Sequence, residues 1–254
     1  MSQSAGRNPL LLFGIVVITT VALGLAAWGL NRVTNPPPAT TANKALRACP
    51  SAPAGHPAKN PTRTYASAPP QTVAEDSSNA YTATMCTERG PIVISLRVVD
   101  APQTVNNFVF LANAGFYDGL PFHRVCPNSA DPQACTGAPA IAQGGDPKGD
   151  GTGGPGYTIA DEAPKGSYTE GTVAMANTGQ PHTSGSQFFI NNGDNSALSQ
   201  QPVLFDLFGD ITSGKDVAKA LQKGDLILWV GITSAPASSP SPSPSTAAPA
   251  PSPS

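Results

Sequence analysis

The residues in this chain that could do chemistry are mostly uncharged. They concentrate in residues 171–190, Gly171-Thr-Val-Ala-Met-Ala-Asn177-Thr-Gly-Gln-Pro-His-Thr-Ser-Gly-Ser186-Gln187-Phe188-Phe189-Ile190. Two short β-forming runs, 172–176 and 187–190, flank a loop of Gly, Pro, Asn and Ser, the residues of turns. Residues two apart on a strand share a face, so Gln187 and Phe189 point one way and Phe188 the other. An amide beside an aromatic ring makes a surface suited to a neutral peptide. The alternative is a core strand whose Gln satisfies a backbone group.

Other chemistries fail their own tests. Ser186 lacks a nucleophile elbow, and the three histidines, His56, His123 and His182, fit no Ser/His/Asp order. His123 lies near Cys126 and Cys135, but the spacing matches no zinc pattern, so no metal is expected. Gly149-Asp-Gly151-Thr-Gly-Gly154 is formally GxGxxG, yet it opens no helix inside a βαβ unit. Asp146 and Asp150 lack the spacing of an EF-hand. That loop reads as backbone geometry, and no cofactor is expected.

The elements around these residues are legible from period and punctuation. Tyr81 to Cys86 alternates, Thr87-Glu-Arg-Gly90 turns, and Ile92, Ile94 and Leu96 alternate again, which predicts a hairpin. Thr104 is placed to cap a helix carrying Val105, Phe108, Val109 and Ala112 on one face, with Gly115 as its stop. A strand is predicted around Phe122-His123-Arg124, then a loop insert over 127–139, then Ile141-Ala-Gln143-Gly-Gly-Asp146. A second helix is predicted from Ser213 to Leu221, with Gly224 as its stop. Leu226 to Ile232 reads as a last strand. Many short strands and two helices imply a closed antiparallel barrel with helices over its open ends.

The ends are different in kind. Residues 10–30 run without a charge and suit a transmembrane anchor, with Trp28 near the interface. The alternative is a cleaved signal sequence. Residues 1–9 precede it, and 31–79 form a Pro/Ala/Thr-rich linker read as a tether. The folded domain is expected at 80–234, about 155 residues, enough for one core. Residues 235–254 hold only Pro, Ser, Ala and Thr and read as a disordered tail. The four cysteines allow three pairings, and outside the cytoplasm disulfides are expected. Cys126 and Cys135 share one insert and are paired, which leaves Cys49 with Cys86. Net charge is −2 and no basic stripe is present, so nucleic-acid binding is not expected.

Taken together, four motifs resemble one family. Phe122-His123-Arg124, Gln143-Gly-Gly-Asp146, Met175-Ala-Asn177 and Gly185-Ser-Gln-Phe-Phe-Ile190 stand in the order and rough spacing of cyclophilin-type peptidyl-prolyl cis-trans isomerases. The resemblance runs from about Tyr81 to Thr233 and includes Thr104-Val-Asn-Asn-Phe108 and Phe208-Gly209. Within the family the chain looks like the bacterial branch, and its anchored, Pro-rich layout is similar to actinobacterial members. The resemblance implies an eight-stranded antiparallel barrel with two capping helices. It assigns Arg124 the catalytic role and places Phe122 and His123 beside it at the substrate. Gln143 and Gln187 correspond to the neighbouring polar groups, and Ala176 and Asn177 to the edge that binds substrate backbone. Ile141, Phe189, Leu198 and Phe205 correspond to the apolar proline pocket.

The implied chemistry is simple. An X-Pro bond isomerises in tens to hundreds of seconds unaided, because amide resonance is lost as the bond twists. The twisted prolyl nitrogen regains a lone pair, and a fixed guanidinium bonds it better than it bonds the planar form. A surface salt bridge is the other reading of Arg124. The chain also departs from the family. Ala140 stands where Phe is frequent, Ala197 where Trp is frequent, and Phe205 where His or Tyr is usual. These departures imply a shallower pocket and weak cyclosporin binding. They also support a second reading, a low-activity peptide-binding or chaperone module. The expected partners are proline-containing segments of exported or surface proteins. The expected protein is a monomer, held in the cell membrane by a single pass with its domain outside the cytoplasm, or secreted after cleavage.

Overall fold

The computed structural model describes residues 47–57, 63–73, 79–127 and 135–236. The anchor expected at 10–30 and the tail expected at 235–254, except Ala235 and Pro236, which belong to the last strand, lie outside the described residues, among which no helix is long and apolar enough to cross a membrane. Strands β1 (Asn79–Thr87) and β2 (Gly90–Leu96) form the expected hairpin, pairing Ala83 with Ile94 and Met85 with Ile92. Helix α1 (Pro102–Asn113) follows. Strands β3 (Arg124–Cys126), β4 (Ile141–Gly144), β5 (Thr172–Met175), β6 (Phe188–Asn191) and β7 (Leu207–Ser213) lead to helix α2 (Lys215–Ala220) and strand β8 (Ile227–Pro236).

The eight strands form one antiparallel sheet in the order β3-β4-β6-β5-β7-β2-β1-β8. The expected closed barrel is corrected here, because no ladder joins edge strands β3 and β8. Between them lies a single bridge, Pro121 with Leu226. Pro121 has no N–H to continue a ladder. Backbone bonds still hold the flanking segments together: Phe122 N–H donates to Asp225 O and Ile227 N–H to Leu120 O, both at 2.9 Å.

Period-two alternation gives the sheet two apolar faces. Phe188, Ile190, Val173, Met175, Ala142 and Val125 turn inward to the main core, against Phe108 of α1 and Phe208 of β7. Phe189, Ala174, Ile141 and Leu207 turn outward into a smaller apolar cluster with Tyr168. Phe188 and Phe189 therefore separate as the strand period predicts.

Two expectations about the helices need correction. Helix α1 begins at Pro102 with Ala101 at its N-cap, so Thr104 sits in the first turn and does not cap it. The cap comes from far along the chain: the Glu162 carboxylate accepts from Gln103 N–H at 3.0 Å and from Thr104 N–H at 2.8 Å. That places a negative charge at the helix N-terminus, where exposed donors favour it. Helix α2 is shorter than Ser213–Leu221 and opens at Gly214, which adopts φ +88°.

The segment read as a tether is also corrected where it is described. Residues 47–57 and 63–73 lie against the domain as a strap. Cys49 is bonded to Cys86, as Cys126 is to Cys135. His56 Nε2 lies 2.8 Å from Asp118 Oδ2, with both side chains buried. Arg63 donates to the carbonyls of Phe116 and Asp118. Asn106 Oδ1 accepts from the N–H groups of Thr72 and Val73, and Val73 is buried in the main core. Pairing of buried polar groups explains why this Pro-rich stretch docks here.

Candidate active site

The register of four adjoining strands builds a line of side chains. Arg124 of β3 faces Gln143 of β4, Gln143 faces Phe189 of β6, and Phe189 faces Ala174 of β5. Residues directly opposite in an antiparallel pair share a face. One row on the outer face thus passes from a guanidinium to an amide to an apolar patch.

The polar half of the row is a chain of hydrogen bonds. Arg124 Nη1 donates to Gln143 Oε1 at 3.3 Å, and Gln143 Nε2 donates to Gln187 Oε1 at 3.0 Å. Gln187 Nε2 then donates to Gly151 O at 3.0 Å and Gly153 O at 2.8 Å. The backbone-satisfying reading of Gln187 is therefore realised, and the glycines that receive its bonds belong to the site's own loop. The Asp146 carboxylate holds that loop, accepting from the N–H groups of Lys148 at 2.8 Å, Asp150 at 3.0 Å and Gly151 at 2.6 Å. Arg124 is exposed and forms no ion pair among the described residues.

The apolar half gathers Ile141, Phe189, Leu198 and Phe205, and Ala176, expected at the backbone-binding edge, packs against the same cluster. Phe189 and Phe205 meet edge-to-face with ring centroids 5.2 Å apart. Leu198 lies in a 3-10 turn, Ser196–Gln200, in which Ala197 is exposed. Asn177 Nδ2 donates to Leu204 O at 2.9 Å, which ties the β5 exit to the segment carrying Phe205. Asn177 and Ala176 also border a cavity of about 810 Å³, shared with Gln143, Gln187 and the Gly-rich loop.

Phe122 and His123, expected beside Arg124, are less exposed than it is. Phe122 is fully buried in the main core beside Phe188, where it supports the sheet from the inner side. His123 is half-buried, and burial holds its imidazole below the usual histidine range. It immediately precedes β3 and stands next to Arg124 in the chain.

Tyr168 is the functional-site residue that sequence reasoning missed. It is buried beneath Phe205, and burial raises its phenol above the usual range. Its only signal was a lone aromatic in the charged, turn-rich stretch 161–170.

With this geometry established, the chain can be set beside known proteins. Residues 82–236, more than half its length, match the family of cyclophilin type peptidyl-prolyl cis-trans isomerases. The chain belongs to that family. It is 42% identical over 151 residues to a peptidyl-prolyl cis-trans isomerase of Synechococcus elongatus, covering 59% of this chain and 95% of that one. It is 44% identical over 129 residues to peptidyl-prolyl cis-trans isomerase B of Bacillus subtilis, covering 50% and 80%. A crystal structure of a Cryptosporidium parvum cyclophilin type isomerase shares 27% identity at a TM-score of 0.49, covering 62% and 99%. The chain is thus an enzyme that accelerates rotation about X-Pro bonds. The strap residues, 47–57 and 63–73, precede the matched region.

Proposed function

We propose that Arg124 is the catalytic residue and that the outer-face row is the substrate groove. The proline ring rests on the apolar patch of Ile141, Phe189, Leu198 and Phe205. The guanidinium of Arg124 reaches the prolyl nitrogen and bonds it more strongly in the twisted state than in the planar one. Gln143 and Gln187 hold that guanidinium in place. The edge at Ala176 and Asn177 grips the peptide backbone while the other side of the bond rotates. His123 contacts the chain flanking the bond. The observation that carries this reading is the Arg124–Gln143–Phe189 register, which sets a cation at the rim of an apolar patch.

The substrates are proline-containing segments of exported proteins. The charge-free run at 10–30 supports a single-pass anchor, and the two disulfides suit a compartment outside the cytoplasm. The same layout supports placing the chain near anchored actinobacterial members, and the enzyme acts as a monomer. The Cys126–Cys135 insert borders β3 and shapes access to Arg124. The test is X-Pro exchange measured by NMR with the full chain beside Arg124→Ala. Loss of about 10²–10³ in kcat is expected, the range for removing one transition-state donor. An unchanged rate in the variant would remove Arg124 from the mechanism. A second reading, a binding module of low turnover, is favoured by Ala140 and Ala197. Peptide binding by wild type without exchange would select it.

A further inference from the structure

The strap approaches the Gly-rich loop more closely than docking alone requires. Tyr65 N–H donates to Pro155 O at 2.7 Å. The Tyr65 ring packs edge-on against Tyr157, with centroids 6.4 Å apart, and against Phe110 at 5.1 Å. Tyr157 in turn donates from its hydroxyl to Asn107 Oδ1 at 2.7 Å. Gly156 sits between, at φ +93°, where a Cβ would come within 2.7 Å of Tyr65 O and 2.8 Å of Thr64 Cγ2. Only glycine lets the two backbones meet.

Thr64 is the strap residue that this approach delivers to the cavity wall. Across the same cavity stand Gln143 and Gln187 of the hydrogen-bonded row, Asn177 of the peptide-binding edge, and Lys148. Every other wall residue lies inside the region matched to the family, and Thr64 lies before it. The strap is fixed on both sides of Thr64. Arg63 donates to Phe116 O and Asp118 O, and its guanidinium lies 5.9 Å over the Phe116 ring. Further back, Cys49 is bonded to Cys86.

We propose that the strap is part of the substrate site, with Thr64 a specificity-determining residue for a side chain flanking the X-Pro bond. This rests on the groove assigned above. The cavity lies across Gln143 and Gln187 from the apolar patch, so a peptide whose proline occupies the patch places a flanking residue in it. The walls combine hydroxyl, amide and glycine backbone groups with Pro155, Tyr157 and Ala176, and carry one cation, Lys148. A polar or acidic side chain of the substrate fits that chemistry. Thr64 closes the wall from outside the matched region, so exchange of the strap retunes this position without touching Arg124.

The experiment places opposite charges at one site of the full chain, Thr64→Arg and Thr64→Glu. Thr64 is exposed and its side chain makes no hydrogen bond among the described residues, so both variants have room to fold. NMR exchange rates are measured on X-Pro peptides carrying Glu, Lys or Ala at each flanking position in turn. Each rate is divided by the same variant's rate on the all-Ala peptide, so a general loss of activity cancels. At one flanking position, Thr64→Arg should favour Glu over Lys and Thr64→Glu the reverse, by about two- to fivefold each, the range of an exposed ion pair. On wild type, an intermolecular NOE should join the Thr64 methyl to the same flanking residue. Equal Glu-to-Lys ratios in both variants at every position, with no such NOE, would overturn the proposal. Absence of exchange by wild type on every peptide would instead overturn the groove itself.

Discussion

The Tyr168 hydroxyl donates to the Phe205 carbonyl at 2.8 Å and accepts from the Phe205 N–H at 2.9 Å. One buried phenol thus satisfies both backbone groups of the residue that walls the apolar patch. It replaces the strand partner that Phe205 would have had two residues further on, where β7 begins at Leu207. The rings of Tyr168 and Phe205 also meet edge-to-face at 6.1 Å. Phe205 is therefore held in position through its backbone, and its ring is left to face the groove.

Tyr168→Phe keeps the ring and removes both bonds. The Phe205 N–H and C=O then lose their partner in a half-buried setting, which costs about 1–3 kcal/mol. Chemical denaturation should show that loss. The kinetic effect should fall on KM, severalfold up, with kcat nearly held, because Arg124 is untouched. A fall in kcat at constant KM would mean that the patch does more than bind.

Asp206 supplies a pH dependence from the neighbouring position. Burial raises its carboxyl to about 6, partly offset by the Glu162 N–H that donates to it. A carboxyl raised in the folded state binds its proton more tightly there than in the unfolded chain. Its contribution is therefore most favourable below the ordinary carboxylate range and is lost as pH rises through about 6. Asp206→Asn keeps the acceptor and removes the cost, so the variant should gain about 1–3 kcal/mol over wild type at pH 7 and almost nothing at pH 4. Melting curves across that range check it. A constant difference between the two proteins would assign the effect to something other than this proton.

What was readable in the chain was local. The β1–β2 hairpin, the face of α1 and the split between Phe188 and Phe189 follow from periods of two and 3.6 within single segments. The disulfide pairs were readable because four cysteines leave few choices. What was hidden depends on residues brought together across the chain. Glu162 caps a helix some sixty positions earlier, and Tyr168 holds a strand entry beyond the β5–β6 pair. The Gly-rich loop was read as backbone geometry, but the sequence did not show that Asp146 gathers three of its backbone N–H groups. The strap was misread because Pro-rich composition describes a stretch without its partners. Its fixing points, His56, Arg63 and Asn106, are single polar residues with no period.

The Cys49–Cys86 bond closes a loop of 37 residues around the strap. The chain-entropy model gives such a closure about 4 kcal/mol. The double variant Cys49→Ala, Cys86→Ala should lose much of that in a denaturant melt. Hydrogen exchange should localise the rest of the effect. The Tyr65 N–H, held by Pro155, should exchange faster relative to wild type, while the Ala176 N–H, held by Gln187 within the sheet, should change little. Equal acceleration at both sites would mean that the strap and the sheet open as one unit.

The apolar patch is short of aromatic cover at one end. Ala197 is exposed on the 3-10 turn beside Leu198, and Ala140 has its backbone clamped between Asn192 and Asn195. Neither offers a ring to a proline or to an apolar cyclic peptide. Wild type is therefore expected to bind cyclosporin weakly. Ala197→Trp adds a wall in open space, where no neighbour must move to admit it. If the added ring buries against the ligand, the gain is about 1–3 kcal/mol, or roughly tenfold or more in Kd. Calorimetric titration of both proteins with cyclosporin decides it. Tight binding by wild type would mean that Leu198 and Phe205 already close the pocket. An unchanged Kd in Ala197→Trp would show that the 3-10 turn stands too far from the bound ligand to wall it.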